Sequence, residues 1–150
     1  MITYQVETVR DTLDEIKPLL QMHFDEISAV KQLTPLDPDY DRYLAMCDAG
    51  LIRVATARDD GRLIGYFVTF VAPSLHYQHL IYGLNDILFL LMEYRGGTTA
   101  YRLFRFAIDD LQNNCGVSVI SVHMKIKHEF RRILTKLGFK LVEETWELHT

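Results

Sequence analysis

The stretch RGGTTA, residues 95–100, combines the residue types best suited to hold an anion, and it contains the only two adjacent glycines of the chain. It follows an apolar run and precedes a segment with helical periodicity. The first N–H groups of a helix lack intrahelical partners and carry partial positive charge, and glycines let a ligand approach them closely. Arg95 adds a guanidinium group with several donors. The stretch therefore predicts a phosphate or diphosphate site, although an ordinary tight turn fits the same residues.

Asp86 is the first candidate for proton transfer. It stands at the start of the apolar run Ile87 to Met92, where a carboxylate would be partly removed from water. Desolvation raises the pKa of a carboxyl group, and a base that works near neutral pH needs such a rise. Asp86 is therefore predicted to be a general base. The alternative is a structural carboxylate that caps N–H groups where the strand begins.

His76 and Tyr77 precede the predicted strand of Asp86 and form a second candidate pair. Histidine titrates near neutral pH, and a tyrosine hydroxyl can donate a proton. Either residue could therefore act as an acid, while the alternative is an aromatic loop that packs on a sheet. His79 and Tyr82 are weaker candidates of the same kind.

The elements that must position these residues follow from periodicity and turn signals. The predicted order is β-α-α-β-β-β-α-β-α-β, with antiparallel pairing first and parallel pairing after the late crossovers. Pro18 is expected to kink or divide the first helix, which runs to about Ser28. Asp37 and Pro38 are expected to begin the second. The last helix is predicted over 128–137, and the strands over 2–7, 51–58, 62–71, 86–92, 117–124 and 139–148.

Composition indicates one soluble globular domain over residues 1–150, because 49% of the residues are hydrophobic and 24% are charged. No apolar run reaches the roughly 20 residues of a membrane-spanning helix, and the segment MITYQVETVR lacks the profile of a secretory signal. Cys47 and Cys115 are the only cysteines, so we expect free thiols in the cytoplasm. They and the histidines have no metal-ligand spacing, so no metal site is predicted. A net charge of −4 disfavours diffuse nucleic-acid binding.

Two long stretches of the sequence resemble the GNAT family of N-acyltransferases. The segment EYRGGTTAYRLFRFA is similar to the family's coenzyme A pyrophosphate loop, although Thr98 stands where the family usually has glycine. The segment VSVISVHMKIKHEFRRILTKLGFKLVEETW resembles the family's later strand, helix and Leu-Gly-Phe ending. The order of elements agrees over nearly the whole chain, and the run RDDGRLIGYFVTFVAPSLHY looks like small GNAT proteins encoded by tailed phages. The resemblance implies an α/β (α+β) fold with a mixed sheet of six to seven strands and about four helices on both faces.

The resemblance also implies where acetyl-CoA binds. Backbone groups of the strand would pair with the pantetheine amides, and N–H groups of the glycine-rich turn would hold the pyrophosphate. The residues so implied for the strand are Phe89, Leu90 and Leu91. Those implied for the turn are Arg95, Gly96, Gly97, Thr98, Thr99 and Ala100. Lys127, Arg131 or Arg132 could reach the adenosine end.

In the family the first long helix lines the acceptor site, which makes His23 and Glu26 candidates for substrate binding. They lie one helical turn apart, and solvated helix residues are the alternative. The family's usual tyrosine acid aligns with Leu134, so the common acid is missing. His76, Tyr77 or another group would have to replace it, or the thiolate would leave without help.

The function implied is an acetyl-CoA-dependent N-acyltransferase in which an amine attacks the thioester directly. The acceptor, a protein or a small molecule, is not identified by the residues, and a homodimer is an open alternative. Two other functions stay open. One is a GNAT-fold interaction protein with a weak cofactor site, which Thr98 and Leu134 favour, and the other is a phage enzyme that modifies nucleobases.

Overall fold

The structure of the protein is a computed structural model, and it describes residues 1–27, 34–125 and 130–150. These residues form five strands, four α-helices and one short 3-10 turn. The strands are β1 (Ile2–Glu7), β2 (Ile52–Asp59), β3 (Arg62–Pro73), β4 (Ile81–Leu90) and β5 (Val119–Ser121). The helices are α1 (Val9–Ile27), α2 (Tyr40–Asp48), α3 (Thr99–Cys115) and α4 (Arg131–Lys136), and the 3-10 turn is Met92–Tyr94.

The strands form one mixed sheet in the order β1-β2-β3-β4-β5. The first three pairs are antiparallel and the last pair, β4 with β5, is parallel. The turn between β2 and β3 has positive φ angles at Asp60 and Gly61, which is the geometry of a tight two-residue hairpin. The antiparallel front and the later parallel pairing are therefore confirmed.

Helices cover both faces of the sheet, as predicted. Consecutive residues of a strand point to opposite faces, and Tyr66 and Phe67 of β3 are both fully buried. The ring of Phe67 packs on Phe104 of α3 at 5.2 Å between centroids. The ring of Tyr66 packs on Phe89 of β4, which in turn contacts His23 of α1. The core thus has one layer under α3 and another under α1.

The prediction of six to seven strands is wrong, because the described sheet has five. Residues 139–148 alternate in a strand-like way but carry no strand. Leu141 and Trp146 there are 77% and 88% exposed. A strand exists only where its backbone pairs with a neighbour, and β5, the nearest strand along the chain, pairs over only three residues. Alternation predicts the preference for an extended backbone, whereas a partner decides whether a strand forms.

Two boundaries that bear on the candidate residues also differ from the prediction. β4 begins at Ile81 rather than at Asp86, because residues 81–85 pair with the long end of β3. α2 begins at Tyr40, and Asp39 caps it by accepting a hydrogen bond from the Arg42 N–H at 3.0 Å. α1 continues through Pro18 to Ile27 without being divided. The predicted end of the first helix, near Ser28, lies outside the described residues. So does the predicted start of the last helix, at His128.

Candidate active site where two strands diverge

β4 and β5 pair over only Tyr82 to Leu84 and then separate. Immediately beyond this point, the side chain of Asn85 accepts a hydrogen bond from the His123 N–H at 2.7 Å. Asn85 is 2% exposed, so its amide fills the point of divergence. From here to Leu90, β4 stays paired with β3 on one edge. Within the part of the chain that the structure describes, no strand pairs with its other edge.

Asp86 lies one residue beyond the divergence, at a break in the pairing of β4 with β3. Thr69 pairs with Asn85 and Val68 pairs with Ile87, so Asp86 is an extra residue on β4. Such a β-bulge locally redirects a side chain and is common beside active sites. The Asp86 carboxylate accepts a short hydrogen bond from the Tyr43 hydroxyl of α2. The bulge therefore turns a carboxylate toward the helix that covers this face.

The surroundings of Asp86 favour its protonated form. Burial raises the pKa of its carboxyl group, while the hydrogen bond from Tyr43 and the nearby imidazole of His123 lower it in part. Burial and the adjacent carboxylate also raise the pKa of the Tyr43 hydroxyl. A carboxylate that takes up a proton more readily than usual can serve as a general base nearer to neutral pH. Asp86 therefore has the electrostatic properties that the sequence predicted.

Tyr66 brings a second hydroxyl to the same region. It is 0% exposed, and its hydroxyl has no hydrogen-bond partner among the described residues. Burial raises its pKa, with smaller contributions from Tyr40, Tyr43 and Asp86, which indicates that these groups are near. A buried polar group without a partner costs about 1–3 kcal/mol. The Tyr66 hydroxyl is therefore a candidate hydrogen-bond donor beside the Tyr43–Asp86 pair.

A small cavity of about 90 Å³ lies at the divergence. It is lined by Ile27, Asn85, Asp86, Leu88, His123, Met124, Lys125 and Phe130. A larger cavity of about 650 Å³ is lined by residues that include Cys47, Cys115 and the first residues of β2. We assign the site to the smaller one, because it contains the half-buried carboxyl group with the raised pKa and the open edge of β4.

The glycine-rich turn leads from β4 into the start of α3. Thr98 is the N-cap residue and makes no side-chain capping hydrogen bond, and the first turn of α3 has no acidic residue. A Cβ atom added to Gly96 or Gly97 would meet nothing within 4 Å. The two glycines therefore lie in open space, and no side chain caps the start of this 17-residue helix, which suits an anion. These features and the open edge of β4 fit the diphosphate and the pantetheine arm of coenzyme A.

The side chain of Arg95 points back toward β4 and α1. Its Nε donates a hydrogen bond to the Leu90 carbonyl at 2.6 Å, and its Nη2 donates to Glu26 at 2.8 Å. The guanidinium also lies 5.5 Å from the centre of the Phe89 ring. On the same face, the His23 ring lies 5.4 Å from that ring. The structure thus joins the predicted acceptor residues to the predicted cofactor residues.

The structure does not bring His76 and Tyr77 to Asp86. Both are exposed at the tip of the β3–β4 hairpin, where their N–H groups bond to the Ser74 hydroxyl. The six residues of β4 from Ile81 to Asp86 are separated by five steps of about 3.4 Å, or roughly 17 Å in all. Neither side chain therefore lies beside Asp86. The reason is that β4 begins earlier than its apolar run suggests.

Tyr43 and Tyr66 are the site residues that the sequence analysis missed. Tyr43 lies three residues after Tyr40, a spacing that puts both on one face of a helix, but this gives no hint of Asp86. Tyr66 looks like an ordinary strand residue. Leu134, in α4, is apolar where the tyrosine acid was expected. Lys127, suggested for the adenosine end, lies outside the described residues.

Comparisons with known proteins give no family-model match and no match among curated proteins. Solved structures do match over almost the entire chain. One is a ribosomal-protein-alanine N-acetyltransferase from Brucella melitensis biovar Abortus 2308, with 19% identity, coverage of 100% of this chain and 99% of that one, and a TM-score of 0.71.

Two further structures match equally broadly. A predicted acetyltransferase with acetyl-CoA from Clostridium acetobutylicum has 14% identity, covers 99% of this chain and 96% of its own, and has a TM-score of 0.72. A GCN5-related N-acetyltransferase from Ralstonia eutropha JMP134 has 13% identity, covers 99% of each chain and has a TM-score of 0.77. At such identities the likeness shows the fold, and the chain has the fold of the GNAT acetyltransferases.

Proposed function

We propose that this protein is an N-acetyltransferase that moves an acetyl group from acetyl-CoA to an amine by direct attack. The observation that carries the proposal is the Tyr43–Asp86 pair, which lies at a bulge beside the open edge of β4. The same strand leads into the uncapped turn at the start of α3. One segment of the chain, from β4 to the start of α3, thus carries in order a proton acceptor, an open strand edge for an extended ligand and an anion site.

The backbone of β4 offers specific groups to the pantetheine arm. The Leu91 N–H donates to the Ile64 carbonyl of β3. Alternate residues of a strand direct their backbone groups to the same edge, so Phe89 also faces β3 whereas Leu88 and Leu90 face the open edge. Of the three residues implied by the resemblance, Leu90 is thus the one whose backbone groups face the open edge, where its carbonyl accepts a hydrogen bond from Arg95. Gly96, Gly97 and the first residues of α3 would hold the diphosphate.

Acetyl-CoA supplies the thioester, and the protein supplies the base and the alignment. Asp86 takes the proton that the amine loses as its nitrogen bonds to the acyl carbon, while the carbon–sulfur bond breaks. Tyr43 orients the carboxylate by its hydrogen bond. The Tyr66 hydroxyl is a candidate donor to the acyl oxygen or to the leaving sulfur, because no described residue accepts from it. These groups together provide proton transfer, charge stabilisation and orientation.

Tyr43→Phe is expected to shift the acidic limb of the pH profile of kcat/KM to higher pH. The hydrogen bond from Tyr43 lowers the pKa of Asp86, so its loss lets that pKa rise further, and a higher pH is needed to form the carboxylate. A matched control is Tyr101→Phe, which also removes one hydroxyl but lies on α3. An unchanged limb in Tyr43→Phe would remove Asp86 as the group that titrates.

Calorimetry with coenzyme A is the direct test of the proposed function. Binding is expected in the micromolar to millimolar range typical of enzyme substrates, and absence of heat at about 1 mM would end the enzyme proposal. That outcome would favour the alternative of a GNAT-fold interaction protein, in line with Thr98 at a position where the family usually has glycine.

The predictions about the acceptor, the origin, the location and the oligomeric state of the protein stay proposals. The acceptor is an amine on a protein or a small molecule, and the Brucella structure is that of a protein named for alanine in ribosomal proteins. A phage origin, a cytoplasmic location and a single domain are expected from the sequence alone, and a homodimer is an open alternative. A nucleobase acceptor is less favoured, because the net charge of −4 opposes nucleic-acid binding. None of the described helices is long and apolar enough to cross a membrane.

A further inference from the structure

Arg95 occupies the position between the two binding regions of the proposed site. Its guanidinium makes three contacts, with the Leu90 carbonyl, the Glu26 carboxylate and the Phe89 ring. Arg95 and Glu26 are 32% and 22% exposed in their side chains, so the ion pair is partly shielded from water. This shielding makes the pair stronger than one on an open surface.

The contact between Arg95 and Leu90 lies on the edge of β4 that would pair with the pantetheine arm. The Leu90 backbone faces the open edge of β4, and its carbonyl there already accepts the Arg95 Nε–H. An amide of the pantetheine arm that pairs with this carbonyl would therefore compete with the Arg95 side chain for the same oxygen. The same arginine directly precedes Gly96, the first residue of the proposed diphosphate turn.

We infer that Glu26 and the diphosphate of the cofactor compete for the Arg95 guanidinium, so that cofactor binding transfers Arg95 from Glu26 to the diphosphate. The inference rests on the proposed function and extends it. Guanidinium groups pair with carboxylates and phosphates in the same bidentate way. A diphosphate seated on the turn carries more negative charge than one carboxylate, and the N–H groups at the start of α3 hold it beside Arg95.

The transfer has a consequence for the acceptor. It removes one positive charge from Glu26, which lies one helical turn from His23 of α1, whose ring packs against β4. A carboxylate there attracts a protonated amine, so the acceptor class that fits is an alkylammonium group. The amine would bind tightly only after the cofactor, and by thermodynamic reciprocity each ligand would strengthen the binding of the other.

The test compares coenzyme A binding by calorimetry in the natural protein, Glu26→Gln and Glu93→Gln. Both variants lose one negative charge near the turn, but only Glu26 contacts Arg95, while Glu93 is exposed in the 3-10 turn. Loss of the competing carboxylate is expected to strengthen binding about 3- to 10-fold in Glu26→Gln, against less than about twofold in Glu93→Gln. Glutamine keeps the shape of the side chain, so folding should be preserved.

A second measurement uses n-butylamine as the probe for the acceptor. Its affinity for the natural protein is expected to rise about fivefold when coenzyme A is present, a coupling typical of linked sites, and this rise should vanish in Glu26→Gln.

Coenzyme A binding that is equal or weaker in Glu26→Gln than in Glu93→Gln would overturn the competition. The competition would also be overturned if the natural protein bound butylamine with the same affinity in the presence and in the absence of coenzyme A. Failure of all three proteins to bind coenzyme A would instead overturn the proposed function, and the inference with it.

Discussion

Replacing Asp86 by asparagine is expected to lower kcat for amine acetylation by about 10²- to 10⁴-fold, the usual contribution of a general base. Asparagine keeps the size of the side chain and can still accept the Tyr43 hydroxyl, but it cannot take up a proton. The affinity for coenzyme A should change by less than about twofold, because the turn at the start of α3 is untouched. Steady-state kinetics with calorimetry on the same samples would check both results.

The same substitution is expected to stabilise the fold at neutral pH. Burial raises the pKa of Asp86 in the folded state, so the folded protein holds this proton to a higher pH than the unfolded chain does. Stability therefore falls as pH rises from the unfolded pKa of aspartate through the raised folded value. Asp86→Asn has no carboxyl group at this position and does not lose stability in this way. Thermal unfolding at several pH values should therefore show that the variant becomes more stable relative to the natural protein as pH rises, until the difference levels off.

Asp109→Asn is a matched control, because Asp109 is half-exposed on α3 and pairs with Arg105 one helical turn away. It should change neither turnover nor the pH dependence of stability to a comparable extent. Turnover by Asp86→Asn equal to that of the natural protein would remove Asp86 from the mechanism. Lower stability in Asp86→Asn at high pH would show that the carboxylate is structural, as a cap for the Tyr43 hydroxyl.

Replacing Arg95 by alanine is expected to weaken coenzyme A binding by about 10- to 100-fold, since a hydrogen bond to a charged group contributes about 1.5–3 kcal/mol. The change removes the cation beside the turn while the Glu26 carboxylate stays, so the surroundings of the turn become less favourable for an anion. It also uncovers the Leu90 carbonyl, but this gain is that of a neutral hydrogen bond and is smaller. At saturating cofactor, kcat should stay nearly unchanged.

Two further variants separate these effects. Arg105→Ala removes one positive charge from the exposed face of α3 and should leave the affinity close to the natural value. Arg95→Lys keeps the positive charge but lacks the planar guanidinium group. Its affinity for coenzyme A should therefore lie between those of the natural protein and Arg95→Ala. Thermal unfolding of each variant controls for damage to the fold. Equal affinity in Arg95→Ala and Arg105→Ala would show that Arg95 has no part in holding the diphosphate.

Local sequence signals correctly identified the features that depend on neighbouring residues. The strands predicted over 2–7, 51–58 and 62–71 and the start of α3 after residues 95–98 are examples. Each depends on backbone conformation or on side chains within a few residues, and residue types report such preferences directly. The same kind of signal indicated that Asp86 would be desolvated, because its apolar neighbours follow it in the chain.

The contacts that make the site were decided by the tertiary structure. Tyr43 and Asp86 are 43 residues apart, and Glu26 and Arg95 are 69 apart. Their meeting depends on where α1 and α2 pack on the sheet and on one bulge in the pairing of β4 with β3. The missing strand over residues 139–148 has the same origin. Residue patterns report what a segment prefers locally, whereas packing and strand pairing depend on which distant segment is there to meet it.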